Sequence, residues 1–165
     1  MDNLTNAGGD NMGSLSKILF SPFDNINILP VPVSGSNIVE NDPTFKSGFD
    51  WFEGYSTEGT ATLEINEAQE AGTDVYQHTV RGFVPGSSAE LESNLLEIRR
   101  HKHVVRAYDA EGRIRQLGNL KNRARFTFNY STGALPTSRK GYSYTFTWKS
   151  NRPAPFVEVG SGSGS

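Results

Sequence analysis

The chain has 165 residues, no cysteine and a formal net charge of −2, with 35% hydrophobic and 11% aromatic residues. That is long enough for one domain with a real core, and it excludes disulfides and thiolate metal sites. No apolar run approaches the roughly 18 residues that span a bilayer, so no membrane partner is expected.

Residues 1–15 are polar and rich in Gly and Asn, which predicts a flexible N-terminal arm. They lack the basic start and apolar stretch of a signal peptide, and the absence of cysteine fits an intracellular or intracellularly assembled protein. Residues 16–52 form an extended, proline-punctuated segment. Pro22, Pro30, Pro32 and Pro43 break its apolar bursts and remove ladder donors. Extended chain, edge strand and loop are expected there, rather than helix or central strand. Such a segment needs something to lie against, its own sheet or a neighbouring subunit. Ile18, Phe20, Phe23 and Ile28 are the candidates for that docking.

From residue 53 to 159 the pattern is that of a β-sandwich domain carrying a helix. TATLEINEA (60–68) alternates Ala61, Leu63 and Ile65 with polar residues, as a half-buried strand does. TDVYQHTVRGFVP (73–85) is its antiparallel partner across an AQEAG loop. Ser87 and Glu90 then make a capping box, and Leu91, Leu95 and Ile98 fall on one stripe, predicting a helix over about 87–101. Its acids lie early and Arg99, Arg100 and Lys102 late, which complements the helix dipole. VVRAY, the turn DAEG and RIRQLG read as a hairpin. ARFTFNY (124–130) and YSYTFTWKS (142–150) alternate aromatics with polar residues. The GSGSGS tail (160–165) reads as an appended linker. The fold class is therefore mostly β, a sandwich or barrel with one packed helix and an extended N-terminal arm.

The small net charge hides a division. Residues 1–97 hold three Lys or Arg against fifteen Asp or Glu, a net of −12, and residues 98–152 hold thirteen against two, a net of +11. Two faces of opposite sign suit head-to-tail stacking; if the segments interleave, they neutralise each other instead. The candidate assembly or phosphate contacts are Arg99, Arg100, Arg106, Arg113, Arg115, Arg123 and Arg125.

Chemistry is sparse. His101 and His103 would share a face on a strand, as a metal site can use, but their neighbours are cationic and no carboxylate cluster is near. No nucleophile elbow, P-loop, zincin or dinucleotide motif occurs, so no catalytic residue, no metal and no cofactor is expected. The chain reads as a non-enzyme.

The run VVRAYDAEGRIRQLGNLKNRARFTFNYSTG, followed by SRKGYSYTFTWKSNRPAPFV, resembles the C-terminal half of small structural proteins of tailed bacteriophages, especially those of Bacteroidetes hosts. The resemblance covers about 85–157 and is carried by Asp109 and Gly112, Leu117-Gly118, and Gly141-Tyr142 with Phe146. It implies a tail-tube-like or neck/tail-completion subunit: a β-sandwich with one helix that forms stacked homo-oligomeric rings and meets other virion proteins, with passing DNA as a further candidate partner. Its place would be the virion, assembled in the host cytoplasm. The long segment 20–50 and the strength of the basic segment depart from that pattern. Two alternatives stand beside it: a nucleic-acid-contacting β-domain using residues 99–125, and a carbohydrate- or host-surface-binding sandwich stacking through Trp51, Trp148 and Tyr142.

Overall fold

The computed structural model describes residues 13–159. The arm expected at 1–15 lies outside the described residues as far as residue 12, and the 160–165 linker lies outside them entirely. Twelve strands and one helix follow in chain order. They are β1 (Leu15–Pro22), β2 (Ile26–Ile28), β3 (Ile38–Val39), β4 (Thr44–Phe45), β5 (Phe52–Glu53), β6 (Thr62–Glu70) and β7 (Thr73–Pro85), then α1 (Ala89–Arg99). After the helix come β8 (Lys102–Asp109), β9 (Ile114–Leu117), β10 (Ala124–Ser131), β11 (Gly141–Ser150) and β12 (Phe156–Val157). The fold is mostly β, a sheet curled into a half-barrel with one helix, as the sequence pattern indicates.

The sheet forks at β8. One branch runs through β10, β11 and β7 to β6, and the other through β9 and β12 to β3, while β1 lies on the opposite side of β8 with β5 beyond it. The link from β8 to β10 is only Lys102↔Arg125 and His103↔Ala124. The helix contacts β10 beside this gap.

Local chemistry explains most elements. On β11 the alternation sends Tyr142, Tyr144, Phe146 and Trp148 inward, where all four are buried. The β6–β7 hairpin is tighter than the five-residue loop expected: Ala71 and Gly72 alone make the turn, both at positive φ (50° and 78°). Such a pair matches the right-handed strand twist of a two-residue hairpin. The helix begins one residue later than the Ser87 box implies. Ser88 is the N-cap, in extended backbone after Gly86, and its hydroxyl accepts the Leu91 N–H at 3.1 Å. The expected stripe does face inward, with Leu95 buried and Leu91 and Ile98 half-buried.

The first strand is where the proline argument needs correction. Residues 15–21 contain no proline, and β1 is an interior strand, paired with β8 from Leu15↔Asp109 to Pro22↔His103 and with β5 on its other side. Ile18 and Phe20 enter the main core. Residues 23–51 then cross to the other face of β8, where Ile26, Leu29 and Val104 form a second, smaller core with Phe23, Phe45 and Trp51 around it. Both faces of β8 are thus covered, which is why VVRA at 104–107 is buried throughout.

Inside the half-barrel, Tyr144 lies directly over Gly82, its cross-strand partner. Its hydroxyl donates to the Tyr55 carbonyl at 3.0 Å and braces β11 against the segment after β5. Burial pushes the Tyr144 phenol well above its usual range, so it remains a donor. A Cβ at position 82 would overlap the Tyr144 ring. Gly82→Ala is therefore expected to lower stability by about 1–3 kcal/mol through overpacking, measured by urea unfolding. An unchanged midpoint would mean the ring is free to move.

Candidate assembly surface

The candidate arginines divide by what their side chains touch. Arg106 is not a surface contact: at 2% exposure it is the largest fully buried side chain among the described residues. Its guanidinium is paired with Asp42, donates to Gln116 Oε1 at 3.2 Å and to the Asn41 carbonyl at 3.2 Å, and stacks over Trp51 at 5.4 Å. It pins the outer layer to β8. Arg115 is half-buried, donates to the Ala154 carbonyl at 2.8 Å and lies 4.0 Å over the Phe156 ring. Burial lowers its pKa, with Asp109 opposing. Arg123 covers Phe23 at 3.9 Å. Buried apolar surface on both faces of β8 demands these long cationic stems, and residue spacing alone did not reveal it.

The others face solvent. Arg113 sits in the 109–112 turn's wake, 3.7 Å from Glu111, and Arg100 pairs with Glu97 at 3.1 Å beside exposed Arg99. Arg125 stands directly opposite Lys102 across the β8–β10 bridge. Both are exposed, and neither makes an ion pair among the described residues. Like charges facing each other across strands repel.

Charge segregation survives folding in part. Lys149–Glu70 (2.7 Å) and Arg106–Asp42 join the acidic and basic segments. Yet exposed Lys102 and Arg125 lie on β8 and β10, while exposed Glu64, Glu67 and Glu70 lie on β6, at the end of its branch, and Glu90 and Glu92 on the first turn of α1. Basic and acidic surfaces are therefore offset within one subunit.

Between α1 and the sheet lies an apolar groove of about 540 Å³. Its floor is core aromatic surface, Phe20, Phe126, Tyr144 and Phe146, and its helix wall is Leu91, Leu95 and Ile98. Its rim carries Phe49, Phe52 and Tyr55, which are 49%, 49% and 60% exposed. Sequence periodicity does not mark these three. The signal was the aromatic run FDWFEGY at 49–55, too short and irregular for a core strand. Of the docking candidates, Ile18 and Phe20 are used internally, Phe23 is half-buried under Arg123, and Ile28 remains 61% exposed. Tyr142 and Trp148 are buried and unavailable for stacking on a sugar, and Trp51 is half-buried against Phe45.

Two of the three histidines, His78 and His103, are buried and structural. His78 Nδ1–H donates to the Trp148 carbonyl (3.1 Å) while Nε2 accepts the Ala154 N–H (2.8 Å), a network that assigns the neutral ring and its tautomer. His103 donates from Nε2 to the Ile98 carbonyl at 2.7 Å, tying the helix end to β8. Burial lowers both pKa values from 6.5, with Arg115 adding to the effect at His78, and His101 and Lys102 at His103. Depressed folded-state values mean that the unfolded chain takes up protons first as pH falls. The stabilisation is complete above about pH 6.5 and is lost progressively below it. The melting temperature is expected to fall between pH 7 and pH 5, and less steeply in His78→Gln. An equal slope in that variant would remove His78 from the account.

Comparison with protein-family models, curated proteins and solved structures returned no match to this chain, so its functional reading rests on sequence and geometry.

Proposed function

We propose that the chain is a non-enzymatic structural subunit that self-associates into rings, of the kind that make up a phage tail tube or connector. The observation that carries this reading is the charge arrangement on the folded subunit. Lys102 and Arg125 face each other with no ion pair among the described residues, while β6 and the start of α1 present carboxylates elsewhere on the same molecule. A neighbour's acidic surface relieves the basic pair, and the same geometry repeats from copy to copy. The resemblance over 85–157 supports the virion setting. Sedimentation velocity across protein concentration, at low and high salt, tests it. Association that weakens as salt rises is expected, and a monomer under every condition would remove the reading.

One further observation favours a second reading. Arg99 and Arg100 lie at the end of α1, just before Lys102 in the chain, and a phosphate backbone could use all of them with Arg125. Salt-dependent retention of DNA or RNA, abolished in Lys102→Ala/Arg125→Ala, is the result that reading requires.

A further inference from the structure

We propose that the groove under α1 receives residues 28–33 of a second copy of this chain, making a head-to-tail contact; this rests on the assembly reading above. The insert is ILPVPV, in which Ile28, Val31 and Val33 are 61%, 58% and 43% exposed. Pro30 and Pro32 fix the backbone of this stretch in extended form, so little conformational entropy remains to be lost on docking. Extended proline-containing segments fit aromatic-lined grooves because the flat rings accept pyrrolidine and branched side chains between them. Phe49, Phe52 and Tyr55 offer that lining here.

The groove and the insert share no lining residue, so one molecule can present both at once. On β11 the groove floor is Tyr144 and Phe146. Trp148, packed where residues 29–32 cross, lies two positions beyond Phe146 on the same strand.

Charge agrees with the pairing. The loops next to residues 29–32 carry exposed Lys121 and Arg152, and the groove is bordered by exposed Glu53, with Glu97 nearby already paired to Arg100. A contact between unlike patches is heterologous, and it closes into a ring or continues as a filament according to the rotation per copy.

Two variants test this. Ile28→Ser/Val31→Ser/Val33→Ser alters only exposed side chains of the insert, and Phe49→Ser/Tyr55→Ser alters only the groove rim. Each alone is expected to weaken self-association by about tenfold or more in sedimentation velocity, with an unchanged circular dichroism spectrum. Their equimolar mixture is expected to recover a 1:1 heterodimer, because one partner keeps its groove and the other its insert. If either variant loses its fold, Lys121→Glu/Arg152→Glu mixed with Glu53→Lys replaces the pair, with the same expectation. Wild-type association with both variants unaffected, or a mixture that stays monomeric, would overturn the inference and leave the assembly reading standing. So would a small apolar molecule held stoichiometrically in native mass spectrometry. A wild-type chain that never associates removes both together.

Discussion

Arg106→Ala is expected to lower stability by about 3–5 kcal/mol, which is unusual for an arginine. Three losses combine. The side chain is 2% exposed, and truncating it opens a cavity between β8 and the outer layer. Gln116, also 2% exposed, loses the donor to its Oε1, and an unsatisfied buried acceptor costs about 1–3 kcal/mol. The stacking on Trp51 at 5.4 Å disappears. Asp42, whose side chain is 62% exposed, is freed into water, so the ion pair itself contributes the smallest part. Arg106→Met keeps the apolar stem and is expected to cost less. Urea unfolding gives the magnitude, and hydrogen exchange locates it: faster exchange over 23–46, with protection kept over 141–150. A change within about 0.5 kcal/mol, the range of ordinary surface substitutions, would show that the outer layer is held by other contacts. Because residues 28–33 continue from that layer, the same variant is expected to loosen the proposed insert.

Phe146→Ala is expected to cost a similar amount, about 3–5 kcal/mol, for a different reason. Phe146 is fully buried and touches Phe126, Phe20, His103 and Tyr144, with ring centroids 5.0, 5.4, 5.6 and 6.1 Å away. These rings join β1, β8, β10 and β11 across the gap that backbone pairing leaves between β8 and β10. Edge and tilted contacts of this kind add to the burial itself. Phe146 also floors the groove, so truncation enlarges an existing space rather than opening a sealed one. Phe146→Leu is expected to recover much of the loss. A Phe146→Ala loss below about 1 kcal/mol would mean that the site collapses freely and that the aromatic cluster does not close the half-barrel.

Much of this architecture was legible in the chain. The alternation in β6, β10 and β11, the stripe on α1 and the Asp109 turn each follow from local periodicity or local hydrogen bonding. Those signals act over a few residues, and a single sequence carries them directly. The charge division was equally plain, since it requires only counting.

The rest depended on which segments meet. That β1 is interior follows from β8 lying 92 positions away for pairs such as Ser16 with Tyr108, a contact no local pattern encodes. The burial of Arg106, Arg115 and Arg123 was hidden because an arginine at an alternating position looks the same whether its far side meets water or a second layer. Here residues 23–51 supply that layer over Arg106 and Arg123, and Ala154 and Phe156 supply it over Arg115. The groove is likewise a product of tertiary structure: α1 and the 49–55 loop are far apart in sequence, and only the curl of the sheet brings them over one aromatic floor. The sequence by itself determined the strands, the helix and the segregation of charge, because these are local or additive properties. Tertiary structure alone decided which cations remain free to meet a partner and where exposed apolar surface collects, because burial is a property of pairs of distant segments.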